Sequence, residues 1–347
     1  MVNPATKAKR RIDWIDSVKG LTIALVVIEH TTYGVQASTH HLPEIFGVIS
    51  EFAKPFRMPL FFLVAGLFAQ KALYADRRTF LDGKVLHFAY FYVLWSVIQI
   101  GIKMLPHTGG NWDVTYVDLL MIPIQPFAAL WFIYELALFF CVLRLLRDAS
   151  KLLVFLFAIA IYFSMLDTGW MLIDEFAWRF VWFVAGIHGA RYVFDIASWA
   201  QSRAWLGLAL GATLLASVAS AVFSGLINIR AIELLMGFAG AGGAIMLMSV
   251  LAARGLTRPL AFLGARSIYV FLAFFLPMGV TRIVMLRLGV ESGDLITLVA
   301  ATAGIIAPLI AYRLVVNTPL SFLFVRPQMF RLTGKSKSSV ASQAVST

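Results

Sequence analysis

Apolar stretches near membrane-spanning length follow one another along almost the whole chain. They lie at roughly 17–34, 52–72, 86–105, 127–146, 152–167, 176–192, 204–223, 231–252, 260–280 and 295–316. A helix needs about 20 residues to cross the hydrocarbon of a bilayer, so 347 residues hold about ten spans and short loops. The fourth and fifth stretches are only a few residues apart, which leaves the count open to another reading. Composition agrees, with 60% hydrophobic and 14% charged residues and a mean hydropathy of +0.84. Soluble domains carry about 25% charged residues, so an ordinary soluble enzyme, a coiled coil and a disordered chain are excluded. The expected fold is an all-α polytopic membrane protein of about ten transmembrane helices.

Lys and Arg total 29 against 18 Asp and Glu, a net charge of +11. The segments after the second, fourth, sixth and eighth stretches hold many of these cations, among them Arg77, Arg78, Lys84, Arg144, Arg147, Arg191 and Arg254. Cytoplasmic loops are the ones enriched in Lys and Arg, so both termini are expected in the cytoplasm. The charge is then explained by topology, and no nucleic-acid partner is expected. Residues 1–16 form a basic tail with Lys7, Lys9, Arg10 and Arg11. Residues 17–333 form a single transmembrane domain, and 334–347 a polar, disordered cytoplasmic tail. Lys19, Glu29 and His30 within the first stretch argue for a retained span rather than a cleaved signal. A lone Cys141 excludes an intrachain disulfide and a cysteine metal site. No histidine shows zinc-ligand spacing, so no metal is expected, and His40, His41 and His107 fall in outer loops. Small-residue runs such as GFAGAGGAIM lack phosphate-loop spacing and read as close helix packing.

Ionisable groups inside a span are costly and mark functional positions. Lys19 and His30 stand eleven residues apart, nearly three turns, so they project from one face about 16 Å apart in rise. They can line one channel for a long ligand whose reactive end lies deep. Asp16 is placed to pair with Lys19, as an interfacial salt bridge or as part of that channel. His30 is either a base or a hydrogen-bonded polar core residue. Pro55 and Pro59 bracket Arg57 and imply an irregular helix start. Arg57 falls near the depth of His30, where it holds a ligand oxygen or snorkels to the outer interface. Glu135 is a third intramembrane charge, with Arg57, Arg179 or His30 as possible partners. Trp131 and Tyr134 beside it either stack on a sugar ring or pack. Glu233, Arg179 and His188 are further candidates for a polar interior.

Four segments, in order, now resemble the acyltransferase-3 family of integral membrane acyltransferases, in its fucose 4-O-acetylase-like branch. WIDSVKGLTIALVVIEH carries a basic residue, ten intervening residues and a histidine, with lysine where arginine is more usual. FRMPLFFLVAGLF, LWFIYELALFF and FLGARSIYVFLAFF match three later signatures. Two departures stand out. Phe274 or a neighbour occupies a place where the family often has histidine, and the usual Arg-x-x-Arg motif reads Lys84 to His87. The resemblance implies acyl transfer, most often of acetyl, from cytoplasmic acyl-CoA (acetyl-CoA first) to a hydroxyl of a cell-surface or exported glycan. It also implies a multi-pass protein of a bacterial inner membrane, whose partners are acyl-CoA, a glycan or glycolipid acceptor and the lipid bilayer. His30, Glu29 and Arg57 would be catalytic, with His30 as base or as a covalent acyl carrier. Lys19, Arg77, Arg78, Lys84 and His87 would hold the donor. Glu135, Trp131, Tyr134 and Arg179 would line the acceptor side. The competing readings are a transporter or flippase, for which no inverted repeat is visible, and a structural subunit, in which buried charges would be idle.

Overall fold

The computed structural model describes residues 12–104 and 114–332, and these are helical with no strand. The basic N-terminal cluster, His107 and the tail from 334 lie outside the described residues. Among the described residues five helices are long and apolar enough to cross a membrane: α3 (Arg77–Lys103), the segment Ala128–Leu145, α8 (Ala204–Phe223), α9 (Arg230–Ala253) and α13 (Gly293–Val315). A bent pair makes a sixth if counted as one span. Among the described residues α1 (Asp13–Thr39) and α2 (Glu44–Gly66) are also long. Their interior charges, Asp16, Lys19 and Glu29 in one and Glu51, Lys54 and Arg57 in the other, keep them out of a set defined by apolarity. Helices of at least seven residues further include α4 (Trp131–Leu145), α5 (Lys151–Phe163), α6 (Met171–His188), α7 (Ala190–Ser202), α10 (Arg258–Gly264), α11 (Ser267–Ala273) and α12 (Phe275–Arg287).

Three stretches differ in detail from their sequence reading. The fifth is a helix of 13 residues, α5, about 20 Å long and shorter than the hydrocarbon core. The ninth is broken at Phe274, where α11 and α12 meet at 53°. The cause is local. Pro277 has no N–H for the carbonyl of Ala273, and its ring crowds that turn. In the second, α2 starts at Glu44 and runs through both prolines instead of beginning at them. The carbonyl of Pro55, which Pro59 leaves without its helical donor, faces Gly237 of α9, where an added Cβ would stand 3.1 Å from it. Proline is tolerated in membrane helices where a neighbour closes over the freed backbone.

The four-residue link after Thr39 makes α1 and α2 antiparallel neighbours. Their contacts descend in step: Tyr33 Oη donates to Glu51 at 2.7 Å, Ser50 Oγ to Thr32 Oγ1 at 3.3 Å, and Arg57 to Glu29. Along its other face α1 touches α10 backbone to backbone. A Cβ on Gly20 would lie 1.9 Å from Leu260 O, and one on Gly264 would lie 1.8 Å from Asp16 O. Ser17 Oγ and Thr257 Oγ1, 2.7 Å apart, close the same crossing. The small-residue stripes of α8 and α9 also pack closely, since a Cβ on Gly243 would meet Gly211 O at 2.8 Å. The outer surface is apolar, with Leu210, Leu298, Ile306 and Ile310 exposed, as lipid contact requires.

Candidate active site

The site is built on two adjoining faces of α1. Glu29 and Tyr33, one turn apart, face α2. His30 and Gly34, also one turn apart, face the junction of α11 and α12. The His30 ring stands edge-on to Phe274 with centroids 5.3 Å apart, so the break in the late span is where the imidazole rests. A Cβ on Gly34 would lie 2.5 Å from Arg282 Nη1. The guanidinium of this buried arginine therefore packs on α1 one turn beyond His30.

His30 Nδ1 lies 2.9 Å from the carbonyl oxygen of Val26. A carbonyl only accepts, so in the neutral ring Nδ1 carries the proton and Nε2 keeps its lone pair. The side chain is 36% exposed, which leaves the ring reachable. Glu29 Oε2 is 3.8 Å from Nδ1, too far for a hydrogen bond. The orienting partner is the backbone, and Glu29 acts through its charge.

Arg57 is buried and its Nη2 pairs with Glu29 Oε1. Its Nε and Nη1 are buried without hydrogen-bond partners. A guanidinium with two unused donors beside a general-base candidate has the capacity to hold a ligand oxygen.

Glu135 of α4 is 0% exposed, and neither carboxyl oxygen has a hydrogen-bond partner. It feels the charges of Glu175 and Arg179, and Arg179 also reaches Arg57. Arg179 pairs with Glu175 at 2.8 Å and lies 4.4 Å from the Trp178 ring centre and 6.0 Å from that of Trp131. Trp131 thus belongs with Arg179. Tyr134 turns elsewhere, donating to Pro123 O at 2.9 Å. Glu233 is bound to Arg230 and Tyr162, at 3.1 and 3.0 Å. His188 has a buried Nε2 without a partner.

The expected donor residues divide into three places. Lys19 is 3.8 Å from Asp16, the pairing read from their spacing. Arg77 and Arg78 are exposed in the first turn of α3, which Asp76 caps through Thr79 N at 3.0 Å. Lys84 lies within a π-helical turn, Leu81–Leu86, and His87 directly follows it. Such turns recur at functional sites. Sequence reasoning missed Arg282, Asp82 and Phe274 as neighbours of these groups.

The "Acyltransferase domain" family model matches residues 12–313, most of the chain. The chain belongs to the acyltransferase-3 family. Its fold and its family make it a membrane acyltransferase. No curated protein and no solved structure shows significant similarity to it.

Proposed function

We propose that this acyltransferase-3 protein is an O-acyltransferase. It takes an acyl group, acetyl first, from cytoplasmic acyl-CoA to a hydroxyl of a cell-surface or exported glycan, as in the fucose 4-O-acetylase-like branch. In this reading the chain crosses a bacterial inner membrane about ten times, with both termini in the cytoplasm. The observation that carries it is the His30–Val26 bond, which leaves the Nε2 lone pair available on a partly exposed side chain.

The acceptor hydroxyl attacks the thioester carbonyl carbon while His30 Nε2 takes its proton. The tetrahedral oxyanion is met by Arg57, whose Nε and Nη1 have no other partner. The C–S bond breaks, and the imidazolium returns the proton to the CoA thiolate. Glu29 holds Arg57 in place and stabilises the transient imidazolium through space. Lys19, Arg77, Arg78, Lys84 and His87 receive the CoA phosphates, while Trp131, Arg179 and Glu135 line the acceptor side.

The test is a thermal unfolding series on the detergent-purified protein with acetyl-CoA, succinyl-CoA and free CoA. A ligand that binds only the folded state raises Tm. A dose-dependent rise with acyl-CoA is expected, reduced in the Arg77→Ala/Arg78→Ala/Lys84→Ala protein. A folded protein with no shift under any CoA species would return the chain to a transport reading, followed by flux assays.

A further inference from the structure

The family match ends at residue 313, yet the chain continues in an ordered, tightly docked segment. Residues 319–332 lie along α3, the helix that begins with the expected donor residues. Tyr90 Oη donates to Phe322 O at 2.9 Å, and Trp95 Nε1 to Leu323 O at 2.9 Å. Phe324 is buried against Trp95, Tyr269 and Tyr312. Three independent anchors therefore fix this segment before it reaches the π turn.

At the π turn the contact becomes ionic. Arg326, 5% exposed, donates from Nη1 to Asp82 O at 2.8 Å and from Nη2 to Asp82 Oδ1 at 2.6 Å. The same Oδ1 accepts from Leu332 N at 2.9 Å. Arg331 folds back, with its Nη2 donating to Arg326 O at 3.0 Å. Arg326, Arg331 and Lys84 all stand within electrostatic reach of His87. The Lys84 ammonium lies 4.5 Å from the ring centre of Phe140, which floors the cluster with an aromatic face.

Two guanidinium groups, an ammonium and an imidazole converge at the π turn, where Asp82 accepts from Arg326 and Leu332. Arg326 Nε is buried without a partner. Like charges gathered at a partly dry surface are stabilised by a multiply charged anion, and arginine forks suit phosphate oxygens.

We propose that Pro319–Leu332 is a wall of the donor site, with Arg331, Lys84 and His87 receiving a phosphate of acyl-CoA and Arg326 positioning them through Asp82. This rests on the acyl-CoA reading above.

The test uses the full chain purified in detergent, with Kd measured by calorimetry for CoA and for 3′-dephospho-CoA. Arg331→Gln is expected to weaken CoA about tenfold, the scale of one lost charge-assisted contact. If the contact is to the 3′-phosphate, dephospho-CoA binds the variant and the parent alike. If it is to the pyrophosphate, both ligands weaken together. Either pattern supports the wall. Arg326→Lys and Asp82→Asn, as positioning changes, should raise the KM for acyl-CoA several-fold and leave kcat within about twofold. Unfolding scans without ligand identify a variant that fails to fold, and Arg331→Gln, at the half-buried edge, then carries the result. Unchanged CoA affinity in folded Arg331→Gln overturns the proposal. So does a loss of binding to phosphatidylglycerol nanodiscs with CoA affinity intact, which would assign the cluster to a lipid headgroup. A wild-type protein that binds no CoA species would instead sink the donor reading on which the proposal rests.

Discussion

His30 Nδ1 and the carbonyl oxygen of Val26 are 2.9 Å apart, one helical turn from each other on α1. The bond sets the tautomer from within a single helix. The Nε2 edge of the ring is therefore oriented wherever α1 is folded, and no ligand is needed to arrange it. His30→Ala is expected to fold, insert and bind acyl-CoA with little change while losing transfer by at least about a hundredfold, the lower range for a general base. Near-normal turnover by the well-folded variant would remove the assignment.

The Glu29–Arg57 pair is mostly buried, and removing one member strands the other. Breaking such a pair costs about 3–5 kcal/mol, whereas replacing both members with apolar groups of similar volume is often near neutral. Glu29→Ala and Arg57→Ala should each lower Tm clearly. Glu29→Gln/Arg57→Met should recover much of the stability and none of the activity. Equal instability of the double variant would mean that the pair is held for its net stabilisation and not for chemistry.

Phe274 packs edge-on to the His30 ring at the broken turn of the late span. Phe274→Ala frees the imidazole to leave its productive orientation. A fall in kcat of about tenfold with donor KM unchanged is expected, since a small misplacement of a reacting group is costly. A change confined to KM would show that the ring serves binding and not orientation.

Lys19 and His30 share a face about three turns apart. If this face guides the donor, Lys19→Ala should raise the KM for acyl-CoA severalfold while kcat holds. An unchanged donor KM would sink that role and leave the Asp16 pairing as a structural one.

The α1–α10 crossing has no room for a side chain, because a Cβ on Gly264 would stand 1.8 Å from Asp16 O. Gly264→Val should therefore give little folded protein in detergent, as judged by size-exclusion profile and Tm. Gly101→Ala is the matched control, with open space around its added Cβ. Normal behaviour of Gly264→Val would contradict the crossing.

Much of this was legible in the sequence for a physical reason. Apolar length announces helices, and a charge inside such a length announces a site. His30 and Arg57 were singled out as candidates in this way, and the spacing of Asp16 and Lys19 gave their pairing. The π turn, the bend at Phe274 and the approach of Arg282 to Gly34 were not found. These contacts join residues far apart in the chain, and nothing local in either partner records them. Glu29, read as a catalytic candidate beside His30, stands 3.8 Å from its Nδ1, and the backbone of Val26 makes the hydrogen bond, as the divergence of about 100° between adjacent helical residues allows.

The contact between Ser17 and Thr257 spans 240 positions of the chain. A ribosome adds about 5–20 residues each second. The first helix therefore emerges roughly 12 to 50 s before the helix that must lie against its backbone. During that interval Asp16, Lys19, Glu29 and His30 are in or near the lipid without most of their final surroundings. Only α2, which follows after four residues, arrives soon enough to neutralise Glu29. Among the described residues the Glu29–Arg57 pair is thus the first ion pair between two helices that the nascent protein can complete, and it would shelter the α1–α2 hairpin during insertion until synthesis supplies the rest.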